Sequence, residues 1–190
     1  MRYQLLDTPA GPFAIIEEAD GRLTTTFLDG ADDRRLRGGK RDESLRPALA
    51  DCFRRYFEGQ AVDFSDVPTP DGPPFFRRCW DAARRIPHGE TRTYGQLAIM
   101  AGSTGGAARA AGQAMRANPL GIIIPCHRVL AAAGSLGGFG GHTDPDSAAL
   151  TLKRWLLTLE GAARRGSSPA GARGGRESPQ QLFFDRGHAP

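Results

Sequence analysis

The chain has 190 residues, enough for one ordinary domain or two small ones. Its formal net charge is +4, of which residues 161–190 supply +3 through five arginines against Glu177 and Asp185. The rest is almost neutral, so net charge alone cannot drive nucleic-acid binding, and any such contact needs a local basic patch. Three distant cysteines leave at least one free thiol, which favours a reducing cytoplasm. No segment has the ~20 apolar residues that span a bilayer, so we expect no membrane partner.

The first part of the chain alternates short apolar runs with turn residues. Residues 2–6, 13–17 and 23–28 are typical of β-strands, and turn-forming residues separate them. Apolar side chains at helical spacing predict a helix over 45–57. Four prolines in 63–74 indicate a linker. We therefore expect residues 1–72 to form an N-terminal lobe of sheet and helix with its linker.

The second part of the chain has mainly helical periodicity. Helices are predicted over 76–86, 94–101 and 106–117, the last ending before Pro119 because proline disfavours helix at the preceding residue. The β-branched run 122–124 suggests a strand, and a final helix is predicted over 153–160. Residues 73–160 would form a helical C-terminal lobe, which makes the fold class α+β. Residues 161–190 have a composition typical of disorder.

Residues 94–117 follow the pattern of a helix-turn-helix, which many non-binding bundles share. Eight of the twelve residues in 106–117 are Gly or Ala, and the longer Arg109, Gln113 and Arg116 lie on one face. Readers of the major groove usually carry more long polar side chains. The pattern favours close approach to a narrower groove, with Arg109 long enough to enter the base stack. An Ala-rich core helix with two solvated arginines is the alternative.

Cys126 and His127 are adjacent, directly after Pro125. A Cys beside a His is a candidate nucleophile because the His can take the thiol proton. Most isolated Cys-His pairs are structural, and a buried Cys behaves as a small inert apolar residue. The apolar run before Pro125 and the glycine-rich stretch 134–141 present this Cys at the end of an element, which favours the chemical interpretation.

Several linked motifs resemble those of the O6-alkylguanine-DNA alkyltransferases, also called methylated-DNA-protein-cysteine methyltransferases. The resemblance covers about residues 73–160, and the strands and helix before it are similar in outline to the family's N-terminal lobe, which is RNase H-like. Its motifs are Ile-Pro-His-Gly-Glu-Thr at 86–91, Tyr-Gly-Gln-Leu at 94–97, Ala-Arg-Ala-Ala-Gly at 108–112, Arg-Ala-Asn-Pro at 116–119, Ile-Pro-Cys-His-Arg-Val-Leu at 124–130, Gly-Ser-Leu-Gly-Gly-Phe-Gly-Gly at 134–141, and Lys-Arg-Trp-Leu-Leu at 153–157 with Glu160.

The resemblance implies repair of DNA by direct reversal, with irreversible transfer of an alkyl group to Cys126. His127 would activate Cys126 through a water and would itself be held by Glu160, a relay analogous to hydrolase triads. Tyr94 would share a proton with O6 of the leaving guanine, and Asn118 would brace the turn that carries the cysteine. No cofactor is implied. The protein would be consumed in a single turnover, because a thioether has no easy hydrolytic exit.

The resemblance also implies a DNA-binding surface and a base pocket. The partner would be double-stranded DNA bearing O6-alkylguanine, with O4-alkylthymine as a further substrate, bound by a monomer in the bacterial cytoplasm and at the nucleoid. Arg109 would replace the flipped-out nucleotide in the stack. The other DNA contacts would come from Thr93, Ala108, Gly112, Gln113 and Arg116. The base pocket would consist of Met115, Arg128, Val129, Phe139 and Gly140.

Three departures from the family pattern concern the pocket. Gly121 replaces a frequent proline, Phe139 replaces a frequent tyrosine, and the connection 142–152 is longer than usual. They bear on which alkyl groups fit, since no reacting group is lost. We expect no metal site, because His88, His142 and His188 with Cys52 and Cys79 lack ligand spacing, and Cys79 is expected in the core while His88 is expected in a solvated turn.

Other functions are compatible with parts of this sequence. A lesion-binding protein without transfer activity would lack Cys126, a sequence-specific regulator would need more base-reading side chains, and a cysteine hydrolase would turn over repeatedly. The tail sequence Gln-Gln-Leu-Phe-Phe at 180–184 resembles the peptide by which bacterial repair proteins dock on the sliding clamp. An incidental apolar cluster is the alternative for this segment.

Overall fold

The computed structural model describes residues 1–30 and 33–162. The predicted tail 161–190 and its clamp-like segment 180–184 lie outside the described residues, apart from 161 and 162. The fold begins with strands β1 (Arg2–Thr8), β2 (Gly11–Glu17) and β3 (Leu23–Phe27), which pair antiparallel as predicted. A fourth short strand, β4 (Lys40–Arg41), pairs parallel to β1, giving the order β3-β2-β1-β4.

Two helices follow and each begins with a proline, whose missing N–H costs nothing in the first turn. Helix α1 (Pro47–Phe57) covers one face of the sheet, and helix α2 (Pro74–Arg84) comes after the predicted linker. The linker is pinned to the fold, because the guanidinium of Arg84 donates to the backbone carbonyls of Phe64 and Val67, both at 2.7 Å.

The helix-turn-helix consists of α3 (Tyr94–Met100) and α4 (Ala108–Arg116), close to the predicted bounds. The short strand β5 (Arg92–Thr93) precedes these helices and pairs parallel with β6 (Val129–Leu130), which directly follows residues 126–128. Thr93 caps α3: its Oγ1 accepts from the backbone N–H of Gln96, while the Gln96 side chain accepts from the N–H of Thr93. Gly102, Gly105 and Gly106 have positive φ angles, which explains why glycine forms this turn.

Two elements differ from the prediction. Residues 122–124 form a tight turn and no strand: Ile122 has a φ of 72°, and the N–H of Ile124 bonds the carbonyl of Leu120. The β-branched residues suggested a strand, but here they are apolar because their side chains are buried, and not because the backbone pairs with another strand. The last helix, α5 (Ala148–Leu159), begins earlier than predicted because Ser147 caps it, so the open part of the long connection is only 142–147.

One core joins the sheet to the helices. Phe13 and Phe53 pack with ring centroids 4.7 Å apart, and the same cluster contains Trp80, Leu97 and Leu156 from three of the later helices. Cys79 lies in this core, as expected, and burial raises its pKa to about 11. The continuous core brings the end of α1 against the end of α5. The predicted α+β class is therefore confirmed.

Candidate active site

Cys126 opens a one-turn 3₁₀-helix, Cys126–Arg128, that directly follows the buried turn at 120–124. Asn118 fixes that turn from both sides: its Nδ2 donates to the carbonyl of Ile124 at 2.9 Å, and its Oδ1 accepts from the N–H of Leu120 at 2.9 Å. The predicted bracing by Asn118 therefore has a direct structural basis. The turn sets the position of the sulfur because Cys126 comes two residues after Ile124.

The same turn is tied to the edge of the sheet. The N–H of Gly121 donates to the carbonyl of Thr25 at 2.9 Å, and Thr25 Oγ1 donates to the carbonyl of Gly121 at 2.8 Å. A Cβ atom on Gly121 would lie 2.9 Å from the Thr25 carbonyl oxygen. A proline at position 121 has no N–H to donate, and its ring would collide with the Thr25 carbonyl. This departure from the family pattern is therefore explained by the contact between β3 and the turn.

His127 and Glu160 form a buried pair. The His127 side chain is fully buried, and its Nε2 lies 2.7 Å from Glu160 Oε1. A carboxylate accepts hydrogen bonds, so Nε2 carries the proton and Nδ1 is left with a lone pair. This Nδ1 is buried and has no hydrogen-bond partner among the described residues. It is therefore free to accept a proton.

Glu160 lies at the C-cap of α5 and is saturated with hydrogen bonds. Arg128 donates to it in bidentate fashion, from Nε to Oε2 at 2.8 Å and from Nη2 to Oε1 at 2.9 Å, and the N–H of Gly89 donates to Oε2 at 3.2 Å. Burial alone would raise the pKa of Glu160, but His127 and Arg128 outweigh it and hold the pKa well below its ordinary range. Glu160 is therefore ionised at neutral pH.

This arrangement corrects the expectation for Arg128, which was placed in the base pocket. Its guanidinium bonds Glu160 and, through Nη1, the carbonyl of Ile86 at 2.6 Å. Arg128 is not among the residues that line the pocket around Cys126. The buried carboxylate attracts the guanidinium because an uncompensated charge in the core would be costly. Arg128 therefore supports the relay.

The pKa values of the reacting pair are shifted in opposite directions. Burial raises the pKa of Cys126, although a hydrogen bond with Asn118 and the charge of Lys153 oppose the shift. Burial lowers the pKa of His127, partly opposed by the adjacent Glu160. At neutral pH the resting state is a thiol beside a neutral imidazole. Attack by sulfur then requires transfer of the thiol proton.

Cys126 lies in a pocket of about 310 Å³, near the lower end of the range typical of small-molecule sites. Tyr94 forms one wall, with its hydroxyl donating to the carbonyl of Gly138 at 3.1 Å, and burial raises the pKa of this phenol. Met115, Phe139 and Gly140 also line the pocket, in agreement with their predicted place. Val129 does not line it; its side chain is buried in the core.

Lys153 holds the glycine-rich wall of this pocket, which the sequence analysis did not anticipate. The side chain is fully buried, and Nζ donates to the carbonyls of Val129 at 2.6 Å, Leu136 at 2.7 Å and Gly138 at 3.2 Å. Burial lowers its pKa to about 8. Lys153 therefore joins β6 to the loop at 136–138 and places a cation near Cys126.

The outer rim of the pocket is formed by α4. Its buried face carries Ala111, Ala114 and Met115, and its exposed face carries predicted DNA contacts. None of the long side chains on the exposed face makes a hydrogen bond within the described part of the chain. This exposed face consists of Ala108, Arg109, Gln113 and Arg116, with Gly112 partly exposed. Thr93 serves as the cap of α3.

A second cleft, of about 780 Å³, lies between β3, α1 and the linker. It is larger than the Cys126 pocket, but its one thiol is Cys52. We assign the chemistry to the smaller pocket because it contains Cys126, whose neighbour in sequence, His127, is hydrogen-bonded to Glu160. Within residues 1–30 and 33–162, no cluster of metal-ligating side chains and no helix long and apolar enough to cross a membrane is present.

His88 lies in a turn, as expected, but it is only partly exposed. Its Nε2 is buried without a partner in the described chain, and its ring lies 6.3 Å from that of Tyr56. Tyr56 itself contacts the relay: its hydroxyl donates to Glu160 Oε1 at 2.7 Å and lies 3.3 Å from His127 Nε2. The helical spacing of 45–57 identified Tyr56 only as a core residue. The sequence offered one signal for this role: Tyr56 carries a hydroxyl, whereas the other residues on the same predicted helix face are apolar.

Two family models together match nearly all of the described chain. They are "6-O-methylguanine DNA methyltransferase, ribonuclease-like domain" over residues 1–70 and "6-O-methylguanine DNA methyltransferase, DNA binding domain" over residues 74–162. A methylated-DNA–protein-cysteine methyltransferase of Haemophilus influenzae is 45% identical over 160 residues, which cover 83% of this chain and 85% of the relative. The enzyme of the same name from Methanosarcina acetivorans is 34% identical over 164 residues, covering 85% and 99%.

Solved structures agree with these matches. The crystal structure of Mycobacterium tuberculosis O6-methylguanine methyltransferase is 36% identical with a TM-score of 0.70, covering 90% of this chain and 96% of its own. The structure of Mycobacterium tuberculosis OGT in complex with DNA is 34% identical with a TM-score of 0.69, covering 85% and 94%. The resemblance inferred from the motifs is confirmed. The chain belongs to the 6-O-methylguanine DNA methyltransferase family.

Proposed function

We propose that the chain repairs DNA by taking the alkyl group from O6-alkylguanine onto the sulfur of Cys126. The observation that supports this most strongly is the position of Cys126 in a base-sized pocket, next to a neutral imidazole whose partner carboxylate is ionised. The sulfur attacks the alkyl carbon, the carbon–sulfur bond forms and the carbon–O6 bond breaks. The product is a thioether, so each chain acts once.

The protons balance within the site. The thiol proton passes to His127 Nδ1, through a bridging water, and the imidazolium is stabilised by Glu160. Tyr94, whose raised pKa keeps its hydroxyl protonated, stabilises the departing O6 by sharing its proton in a hydrogen bond. The imidazolium then gives up the proton that it took from Cys126 and the guanine anion takes up one proton, so the net transfer is one proton from the thiol to guanine. Asn118 and Lys153 stabilise the thiolate while it forms, since both lower the pKa of Cys126.

The partner is double-stranded DNA that presents the lesion as a flipped-out base. An O6 substituent inside the stack cannot reach a sulfur within a pocket, so the base must leave the duplex. We assign Arg109 to the space that the base vacates, because it is exposed at the rim of the pocket on a helix that also presents the exposed Ala108 and the partly exposed Gly112. Arg116 and Gln113 then face the phosphates.

One chain supplies every group of the proposed site, which supports action as a monomer, and the DNA substrate supports a cytoplasmic, nucleoid-associated location. The test is a stoichiometry experiment with a duplex that carries one O6-methylguanine. We expect one lesion restored to guanine for each protein chain, with no further repair when substrate is in excess. Repeated turnover by a single chain, or no repair at all, would contradict the proposal.

A further inference from the structure

Tyr56 lies on α1, far from Cys126 in sequence, yet its hydroxyl contacts the buried Glu160 and His127. It donates to Glu160 Oε1 at 2.7 Å and lies 3.3 Å from His127 Nε2, which itself lies 2.7 Å from the same carboxylate oxygen. The three groups therefore form a closed triangle. Tyr56 is 1% exposed, so water does not replace this contact.

The phenol has a single direction in which to donate. Burial raises its pKa well above the ordinary value, and the charge of Glu160 raises it further, so the hydroxyl keeps its proton. Its ring is held by Phe57, with centroids 5.4 Å apart, and by His88 at 6.3 Å. A packed ring with a fixed hydroxyl can orient a carboxylate, as groups behind a catalytic residue commonly do.

We propose that Tyr56 is a positioning residue: its hydroxyl holds Glu160 and His127 in the orientation that allows His127 to take the proton of Cys126. The proposal rests on the function proposed above. It makes helix α1 part of the reactive centre, although the motifs of the family lie after residue 73. Tyr56 does not line the Cys126 pocket and acts through Glu160 and His127.

The Tyr56 hydroxyl influences the pKa of His127 through Glu160. The hydrogen bond from Tyr56 disperses the negative charge on Glu160, so its loss would strengthen the attraction between that carboxylate and a proton on His127. Protonation of His127 would then occur at higher pH, and His127 would be available as a base over a narrower range. The other titratable or charged groups that face the triangle are His88, Cys126, Arg128 and Lys153.

The test compares Tyr56→Phe with the wild type and with the matched control Tyr3→Phe. The Phe variant keeps the ring packing and removes only the hydroxyl, while Tyr3 packs in the separate cluster with Ala14 and Ile16. The readout is the single-turnover rate constant of methyl transfer as a function of pH, with DNA affinity and thermal stability measured alongside. We expect Tyr56→Phe to react about tenfold more slowly at neutral pH. The acid limb of its pH–rate profile should move to higher pH. Tyr3→Phe should match the wild type in both the rate at neutral pH and the position of the acid limb.

A second variant separates positioning from general loss of structure. In a Glu160→Gln background the carboxylate charge is absent, so adding Tyr56→Phe should leave the pH profile unchanged and slow the reaction much less than in the wild type. Independent, multiplicative losses would overturn the proposal, as would a slower Tyr56→Phe variant whose acid limb stays in place. If the wild type transfers the methyl group and Tyr56→Phe equals it, only the role of Tyr56 fails. If the wild type transfers nothing, the proposed function itself fails.

Discussion

The two sides of the Cys126 pocket are built in opposite ways. On the inner side, Glu160 accepts hydrogen bonds from Tyr56 and His127, which are buried, and from Arg128 and the backbone of Gly89, which are partly buried. On the outer side, Arg109, Gln113 and Arg116 are exposed and make no side-chain hydrogen bond within the described residues. The inner side is organised before any ligand arrives, whereas the outer side keeps its donors available for one.

This difference assigns separate tasks to the two sides. Preorganised polar groups stabilise charge without reorganising during the reaction, which suits proton transfer from the partly buried thiol of Cys126. Exposed arginines without partners can meet phosphates and a vacated base stack at little cost in broken contacts. Substitutions on the inner side should therefore affect transfer to any substrate, and substitutions on the outer side should affect only reactions that need DNA.

The largest effect is expected for Cys126→Ser. A hydroxyl is almost un-ionised at neutral pH, so transfer should fall below detection, while duplex binding should be unchanged because the outer side is intact. Repair is measured with an O6-methylguanine duplex and binding by gel shift. Cys52→Ser is the matched control and should repair like the wild type. Residual repair by Cys126→Ser at a comparable rate would remove Cys126 from its proposed role.

Glu160→Gln should slow transfer on the order of 10²-fold, the contribution typical of a positioned base. Because it also leaves Arg128 without its buried counter-charge, the free energy of unfolding should fall by about 3 kcal/mol. Stopped-flow transfer to free O6-benzylguanine and urea denaturation measure the two effects. Glu58→Gln, at an exposed position after α1, is the control. An unchanged rate with lowered stability would reduce Glu160 to a structural ion pair.

Arg109→Ala should separate the two sides most clearly. Repair of a duplex should drop by roughly tenfold or more, because nothing fills the vacated stack, whereas reaction with free O6-benzylguanine should be almost unchanged. Arg54→Ala removes the same charge from an exposed position on α1 and serves as the control. Equal losses with both substrates would place Arg109 among the groups that support the fold or the thiolate.

The smallest effect is the response to pH near neutrality. Burial lowers the pKa of His127, so the imidazole is already neutral at pH 7. The fall in transfer rate on the acid side of the pH–rate profile should therefore lie below about 6.5, the ordinary pKa of histidine. Burial raises the pKa of Cys126, so direct ionisation contributes little below about pH 8.5. The transfer rate should be flat from about pH 7 to about 8, the pKa of Lys153, above which loss of the Lys153 charge removes support from the thiolate. A tenfold rise per pH unit in that interval would indicate that solvent, instead of His127, removes the proton.

The sequence predicted the parts of the molecule that depend on local pattern. Alternation and helical spacing identified the three long strands and the helices α1 to α4, and the linked motifs identified Cys126, His127 and Glu160. The pattern failed at 122–124, where β-branched residues form a buried turn with Ile122 at positive φ. Periodicity cannot distinguish a strand from a short buried turn of the same composition.

Residues that act through distant contacts were not predictable in this way. Tyr56 and Glu160 are 104 positions apart, and helical spacing assigns Tyr56 to the core on the same grounds as Phe53. Lys153 was part of a recognised motif, but its role depends on carbonyls of a loop whose path only the fold determines. Arg128 was misplaced because the resemblance implied a position in the base pocket, whereas the guanidinium bonds the buried carboxylate of Glu160, a contact that only the fold brings about.

The central claim is that the buried relay acts on Cys126 and on no other thiol. Its most direct test is peptide mass spectrometry of the full chain after reaction with one equivalent of a duplex that contains O6-methylguanine. We expect one added methyl group, located on the peptide that contains Cys126, with the peptides of Cys52 and Cys79 unmodified. Methylation of either other cysteine, or DNA repaired without any modified cysteine, would contradict the account.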